Sequence, residues 1–285
     1  MYAGKTFSDP LELMNFAARH VPGALKLSQE MAWPYRREDW EFAAMVGQGL
    51  VLERAGEVIG TAMWWNYGEA YASAGMIIVT ASAQGGGYGS RLFDGLLEAT
   101  GGRSVLLNST DEGLTLYKRR GFTTWGTVHQ HQGLLTVVVT PNARDGIRPA
   151  TVSDLAAIQV FDGRATGMPR PSMVAALADV GDVVVIDKEG RIAGYAIARR
   201  FGRGYVVGPV AAENAEEARL LVLAQLATLY GQFVRIDVDA EHGLSDWLDS
   251  LGLERVSHAT AMVKGQRPVS DRAARMYALA NQSFG

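Results

Sequence analysis

A chain of 285 residues exceeds one ordinary domain, and 48% hydrophobic with 20% charged residues leaves enough apolar material for two cores. The net charge of −3, with Lys and Arg scattered, argues against nucleic acid as a partner, and no run of 18 apolar residues suggests a membrane span. Without cysteine there is no disulfide, no thiolate metal site and no acyl-cysteine intermediate, so a cytoplasmic chain acting without a metal is expected.

In chain order, Met31-Ala32-Trp33-Pro34-Tyr35 lies between the first two helices. Leu50 to Ala62 then reads as a strand, a turn and a second strand. Trp64, Trp65, Tyr67 and Tyr71 crowd the strands that follow and are expected to form sheet core with a partly exposed aromatic edge. Met76-Ile77-Ile78-Val79 is short enough for a buried strand. The next apolar residues, Leu92, Phe93, Leu96 and Leu97, recur at helical spacing until Gly101-Gly102, which suits a C-cap.

Between that strand and that helix lies Thr80-Ala81-Ser82-Ala83-Gln84-Gly85-Gly86-Gly87-Tyr88-Gly89-Ser90. A glycine-rich turn feeding a helix N-terminus offers free N–H groups and a positive dipole end to phosphate, and its glycines carry no Cβ to hold a diphosphate away. A P-loop would require lysine after Gly89, where Ser90-Arg91 stands. A G-x-G-x-x-G fingerprint would require glycine at position 90 or 92, which hold Ser90 and Leu92. The spacing that fits is Gln/Arg-x-x-Gly-x-Gly/Ala, met by Gln84, Gly87 and Gly89.

Downstream, Val105-Leu106-Leu107 reads as a strand, Asn108 to Gly113 as a turn with an N-cap, and Leu114 to Phe122 as a short helix that ends at Gly121. His129 and His131 alternate on a strand; two imidazoles without a third ligand are read as surface residues. Pro141 to Asp145 is a polar linker, and Ile147 to Leu155 reads as a strand followed by a helix capped by Ser153 or Asp154. Val183 to Ala196 repeats the strand, turn and strand of Leu50 to Ala62. Gly60 and Gly194 lie 134 positions apart, and Gly121 and Gly252 lie 131 apart, a near-constant offset that argues for duplicated domains.

The second copy has no equivalent cradle. Its strand Gly204 to Val210 leads into Ala211 to Glu217 and a helix over Ala218–Leu229. Glu213, Glu216 and Glu217 replace the glycines, which would repel a diphosphate by on the order of 1 kcal/mol per close pair. Leu248 stands in the place of Tyr117, and Ala273 to Leu279 reads as a closing helix.

The loop from Gln84 to Gly89, with Val79 ahead of it, resembles the acyl-coenzyme A loop of the GNAT N-acetyltransferase superfamily. Leu116-Tyr117-Lys118-Arg119-Arg120-Gly121-Phe122 resembles that family's Leu-Tyr-x-x-x-Gly-Phe signature. The commonest form has Asn seven residues before the tyrosine, where Thr110 stands here; the spacing of Leu107, Thr110, Gly113, Leu116 and Tyr117 resembles a subgroup with two GNAT domains in tandem. Asp162, Gly167, Arg170 and Gly208-Pro209 resemble the C-terminal domain of that subgroup.

The resemblance implies an α/β fold of two tandem GNAT-type domains, each a twisted, mixed and largely antiparallel sheet flanked by helices. Residues 1–141 would form the catalytic domain, 142–146 the linker, and 147–285 a degenerate domain that completes the acceptor pocket or stabilises its neighbour. Acetyl-coenzyme A would be the co-substrate. Gln84, Gly85, Gly86, Gly87, Tyr88, Gly89 and Ser90 would hold its pyrophosphate, and Ile77, Ile78 and Val79 would pair with its pantetheine amides. Thr110, whose hydroxyl would bond the pantetheine arm, and Gly113 complete the set. An N–H near Val79 would stabilise the oxyanion.

Tyr117 occupies the place of the tyrosine that protonates the departing thiolate; its alternative reading is a core aromatic. Trp33 is a candidate wall of the acceptor pocket. Glu30, Glu69, Asp111, Asp237 and Asp239 all stay open as the general base. The acceptor expected is a small amine or amino acid, with a protein N-terminus or lysine as the rival. A non-catalytic sensor of acyl-coenzyme A is the reading from another class.

Overall fold

Long central strands buried along most of their length, with helices packed on them, build the chain from thirteen strands and eight α-helices among the described residues, 11–138 and 146–285 of the computed structural model. The first half contains β1 (Leu11–Asn15), α1 (Val21–Glu30), α2 (Arg37–Val46), β2 (Gln48–Arg54), β3 (Glu57–Tyr67), β4 (Tyr71–Val79), α3 (Tyr88–Ala99), β5 (Ser104–Ser109), α4 (Leu114–Lys118) and β6 (Thr123–Leu134). The second half contains β7 (Ile147–Pro149), α5 (Leu155–Thr166), α6 (Pro171–Asp179), β8 (Gly181–Lys188), β9 (Arg191–Phe201), β10 (Gly204–Ala212), α7 (Ala215–Leu226), β11 (Phe233–Asp239), α8 (Ser245–Ser250), β12 (Glu254–Lys264) and β13 (Arg275–Ala278). Of the linker expected over 142–146, all but Gly146 lies outside the described residues. The chain divides into two compact units, residues 1–64 with 76–101 and residues 65–75 with 102–285, so β3 and β4 run through both.

In the first unit the strand order is β1-β2-β3-β4, with antiparallel ladders from Leu11↔Arg54 in the first pair and Leu52↔Gly60 in the second. Trp40, Leu52, Met63, Leu92, Phe93 and Leu96 are buried, each aliphatic side chain contributing about 1.5–3 kcal/mol. Close packing dictates Gly60, since a Cβ there would lie 2.7 Å from the Ile78 carbonyl oxygen. On β4, Met76 adopts φ +52°, and Thr61 Oγ1 donates to its carbonyl at 2.8 Å. A buried non-glycine residue in the left-handed region marks a local kink in the strand, held by this hydrogen bond.

In the second unit the order is β4-β5-β12-β6-β11-β13-β10-β9-β8-β7. The second half sends β12 between β5 and β6, pairing Met262 with Leu107 on one side and Thr260 with Thr127 on the other. The first half's β6 in turn lies between β12 and β11, pairing His129 with Val238. Each half thus covers open edges of the other's sheet, which blunts strand edges that would otherwise pair with foreign chains. Leu135, Val207, Leu221, Val222, Ile236, Leu248 and Tyr277 are among the residues of the core behind these strands.

Parallel pairing is brief twice over. β4 meets β5 from Tyr71↔Ser104 to Ser73↔Leu106, and β10 meets β11 only at Tyr205↔Val234 and Val206↔Arg235. β13 then pairs with both β10 and β11, Ala278 opposing Val210 and Val238. The segment Ala273 to Leu279 is therefore not the helix expected from its composition. The unpaired backbone of β10 and β11 offers it ladder partners, and that pairing overrides local propensity.

Burial corrects one further expectation and meets another. His131 is fully buried rather than at the surface: its Nδ1 lies 2.8 Å from the Leu253 carbonyl and its Nε2 2.7 Å from Ser245 Oγ, with His129 Nδ1 on the same hydroxyl at 2.9 Å. Trp64, Trp65 and Tyr67 are buried sheet core, with Tyr71 half-buried.

Asp162, Gly167, Arg170 and Gly208 make close internal contacts in the second half. Asp162 and Arg170 form a buried ion pair, Nε to Oδ2 at 2.8 Å and Nη2 to Oδ1 at 2.9 Å, and Tyr195 donates its hydroxyl to the same carboxylate. Gly167 ends α5 at φ +72°, where a Cβ would come within 2.5 Å of the Val269 carbonyl oxygen. A Cβ at Gly208 would overlap the Leu279 carbonyl oxygen.

Candidate active site

In the first unit, Ile77, Ile78 and Val79 end β4, and residues 84–87 form an exposed turn into α3, whose first residues 88–90 are half-buried. Gly85 and Gly87 adopt φ +81° and +78°, a region costly to other residues, and Cβ atoms built on them meet nothing within 4 Å. Gly87 is the N-cap of α3, whose first-turn N–H groups, at Tyr88, Gly89 and Ser90, have no acceptor within the helix. Gln84 Nε2 donates back to the Val79 carbonyl at 3.2 Å, tying the turn to the strand. These features fit a diphosphate: open space above glycines, and free donors at a helix's positive end.

Two neighbours of the turn, Thr80 and Arg54, carried no signal in the sequence, whereas Trp33 is a candidate pocket wall. Thr80 Oγ1 donates to Glu30 Oε2 at 2.8 Å, joining the end of α1 to the start of the loop. Arg54 Nη2 donates to the Tyr88 hydroxyl at 3.1 Å and adds a cation near the cradle. Trp33 is half-buried, its ring 6.2 Å from that of Tyr35, which lies 6.1 Å from buried Trp40.

In the second unit, Thr110 and Gly113 bracket the turn before α4, with the Gly113 N–H on the Thr110 carbonyl at 3.1 Å. A Cβ at Gly113 would lie 2.8 Å from the Tyr117 ring, so glycine there lets the aromatic pack against the turn. Tyr117 is buried beside Phe122, with ring centres 5.9 Å apart, and burial pushes its hydroxyl up to about 12. It is fully protonated at neutral pH.

The same unit encloses a cavity of about 320 Å³, a size suited to a small molecule. Ser73 on β4, Leu106 and Asn108 on β5, and Trp125 on β6 form part of its wall. Much of the remainder comes from residues 267–285, far along the chain and beyond reach of motif reading. That segment is anchored firmly. Asn108 Nδ2 donates to the Gln282 carbonyl at 2.8 Å, Tyr67 donates to the Phe284 carbonyl, and Arg170 Nη1 reaches the Gly285 carbonyl at 2.7 Å.

Where the second half repeats the loop, the helix end is already occupied. Asn214 caps α7 by accepting from the Glu217 N–H at 3.0 Å. Glu213 pairs with Arg191 and, at 2.9 Å, with Lys188, which also holds Glu217 at 2.6 Å. Arg191 and Lys188 hold the Glu213 carboxyl below the usual range. The glutamates at positions 213 and 217 are thus ion-paired, a feature the sequence did not reveal.

The five carboxylates considered as bases separate by position. Glu30 touches the loop through Thr80, and Glu69 is exposed after β3. Asp111 is exposed, 3.7 Å from His258 Nε2. Asp237 is buried and taken by Arg235 at 2.9 Å and by Gln282 at 3.3 Å. Asp239 lines the cavity while its Oδ1 accepts from the Glu241 N–H at 2.8 Å. Among the described residues no group of three or more His, Asp or Glu is arranged to hold a metal, and no helix is long and apolar enough to cross a membrane.

Comparison with known proteins agrees with this geometry. Two models described as acetyltransferase (GNAT) domains match residues 46–124 and 158–278, together more than half of the chain. The protein belongs to the GNAT acetyltransferases as an acyltransferase with two such domains in tandem. It is 29% identical to the holothin acyltransferase of a Pseudoalteromonas species over 73% of this chain and 71% of that one. It is 25% identical to the uncharacterized N-acetyltransferase YitH of Bacillus subtilis over 96% of this chain and 98% of that one. The fold matches an acetyltransferase-class protein of Pyrococcus horikoshii at TM-score 0.82 and 16% identity, covering 100% and 99% of the two chains. It also matches a tandem GNAT protein from the clavulanic acid biosynthesis pathway at TM-score 0.65 and 15% identity, covering 90% and 98%.

Proposed function

We propose that the protein transfers an acetyl group from acetyl-coenzyme A directly to the amine of a small molecule or amino acid. The observation that carries this reading is the exposed turn over residues 84–87, with two left-handed glycines leading into the N-terminus of α3. N–H groups of Gly85 to Ser90 hold the pyrophosphate, and backbone groups of Ile77 to Val79 pair with the pantetheine amides as a neighbouring strand would. An N–H near Val79 stabilises the tetrahedral oxyanion, typically worth a few kcal/mol. Thr110 and Gly113 complete the binding of the pantetheine arm.

Tyr117 acts as the general acid. Its raised hydroxyl keeps a proton for the departing thiolate throughout the neutral range. With no cysteine in the chain, no acyl-cysteine forms, and the amine attacks the thioester itself in a ternary complex. A cavity of about 320 Å³ supports a small acceptor over a peptide. Acyl transfer to holothin is what the name of one relative states for that protein. The second half contributes the 267–285 wall and no nucleotide site, because β13 fills the parting of β10 and β11, while Asn214 caps α7 and Glu213 and Glu217 occupy the turn.

Calorimetric titration with acetyl-coenzyme A tests the reading, with a Gly87→Glu, Gly89→Glu variant as control. One site per chain, lost in the variant, is the expected result. Two sites would overturn the assignment of the second half, and none in the wild type would overturn the acetyltransferase reading.

A further inference from the structure

The cavity wall formed by residues 267–285 carries Arg267, Arg272 and Arg275. Two carboxylates share the lining, Asp239 and Asp271, and both already have donors. Asp271 accepts from the Ala273 N–H at 3.0 Å and from Arg164 Nε at 2.9 Å, and these bonds hold its carboxyl below the ordinary range. Asp239 accepts from the Glu241 N–H. Among the described residues no carboxylate forms an ion pair with Arg267, Arg272 or Arg275. Arg267 instead stacks over the Trp125 ring at 4.5 Å, which fixes the guanidinium plane and leaves its donor edge for another group.

The rest of the lining is different in kind. Leu106, Met168 and Phe284 offer apolar surface. Ser73 and Asn108 bring polar groups from β4 and β5, the strands whose pairing ends at Ser73↔Leu106. A ligand matching both kinds of lining has an apolar body and an anionic group, because guanidinium forks in a concave site select carboxylate-like anions.

We propose that the acceptor is an amine that also carries a carboxylate, in the manner of an apolar amino acid, with the carboxylate on the arginines of the 267–275 segment and the body against Leu106, Met168 and Phe284. The proposal rests on the acetyltransferase reading and narrows it to one class of acceptor. A neutral or polyamine acceptor would leave the arginines unmatched or meet repulsion from them.

The test measures coenzyme A release by the full chain with acetyl-coenzyme A and matched acceptors: L-phenylalanine against phenethylamine, L-methionine against 3-(methylthio)propylamine, and L-leucine against isoamylamine. At least one amino acid is expected to exceed its decarboxylated partner by about tenfold or more in kcat/KM, the worth of one charge-assisted contact. In R267Q/R272Q/R275Q that preference should collapse through KM, with kcat and acetyl-coenzyme A affinity retained. Equal or better use of every decarboxylated amine, no use of any amino acid, or a preference that survives the triple variant would each overturn the proposal. Acetyl-coenzyme A binding measured alongside separates the levels. Binding without use of any amino acid sinks this acceptor class alone, whereas absence of binding sinks the underlying reading with it.

Discussion

Asn108 on β5 donates through Nδ2 to the backbone carbonyl of Gln282 at 2.8 Å, across 174 residues of chain. Through this bond a strand of the first GNAT domain positions the last segment of the second. The next residue, Ser283, packs so closely on β4 that a Cβ at Gly75 would lie 2.6 Å from its Oγ and 3.0 Å from its Cα. Gly75→Val should therefore cost about 1–3 kcal/mol, as overpacking of a tight interior does. Displacing this wall of the cavity should also raise the acceptor KM while kcat changes less. Denaturant unfolding and steady-state kinetics check the two effects separately, and an unchanged KM would show that the wall takes no part in acceptor binding.

The cradle predicts an asymmetry between the halves. Gly87→Ala adds a Cβ where φ is +78°, and the left-handed region costs a non-glycine residue about 1 kcal/mol or more. Acetyl-coenzyme A affinity should fall several-fold, and by far more for Gly87→Glu, which adds a carboxylate at the phosphate site. Glu213→Gly, Asn214→Gly, Glu217→Gly in the second half should leave affinity and stoichiometry unchanged, because β13 already occupies the parting of β10 and β11. Calorimetry reporting a second site in that variant would mean that the capped turn alone had excluded the nucleotide.

What could be read in the sequence was local. Gln84, Gly87 and Gly89 announce the cradle because their spacing is imposed by backbone geometry within one turn. Gly113, Tyr117 and Gly121 announce α4 for the same reason. The exchange of β12 and β6 between halves was hidden, since ladder partners such as Met262 and Leu107 are 155 residues apart and any apolar strand satisfies the pattern. The sequence of β13 reads equally well as a helix because Ala274, Tyr277 and Ala278 suit either period, and only the open edges of β10 and β11 decide between them. His131 looked like a surface residue because alternation alone does not reveal that Ser245 and Leu253 meet both of its nitrogens. The cavity arginines were invisible as a group for want of any fixed spacing.

The buried pair of Asp162 and Arg170 predicts a large loss on breaking one side. Both side chains are essentially inaccessible, and Arg170 also reaches the Gly285 carbonyl at 2.7 Å. Arg170→Met strands the carboxylate of Asp162 beside the Tyr195 hydroxyl and should cost about 3–5 kcal/mol. Asp162→Asn, Arg170→Met should recover much of that loss, because no uncompensated charge remains buried. Equilibrium unfolding by urea measures both, and equal losses in the single and double variants would show that packing of the arginine stem dominates.

Tyr117 yields the last prediction, on catalysis and pH together. Removing the proton donor in Tyr117→Phe should lower kcat by about 10²-fold or more with acetyl-coenzyme A affinity little changed, since general acids contribute about 10²–10⁴. A sensor of acyl-coenzyme A would keep its affinity as well, so the discriminating readout is turnover. Burial raises the hydroxyl from the usual value near 10 to about 12, so its ionisation should impose no alkaline fall in kcat below about pH 10. Between pH 10 and 12 the folded state holds this proton more tightly than the unfolded chain does. The contribution is therefore complete below pH 10 and is lost as pH rises through about 12. A pH profile of kcat and of urea midpoints for wild type and Tyr117→Phe checks both. A kcat limb near pH 8–9 that disappears in the phenylalanine variant would show that substrate binding lowers the tyrosine into the working range.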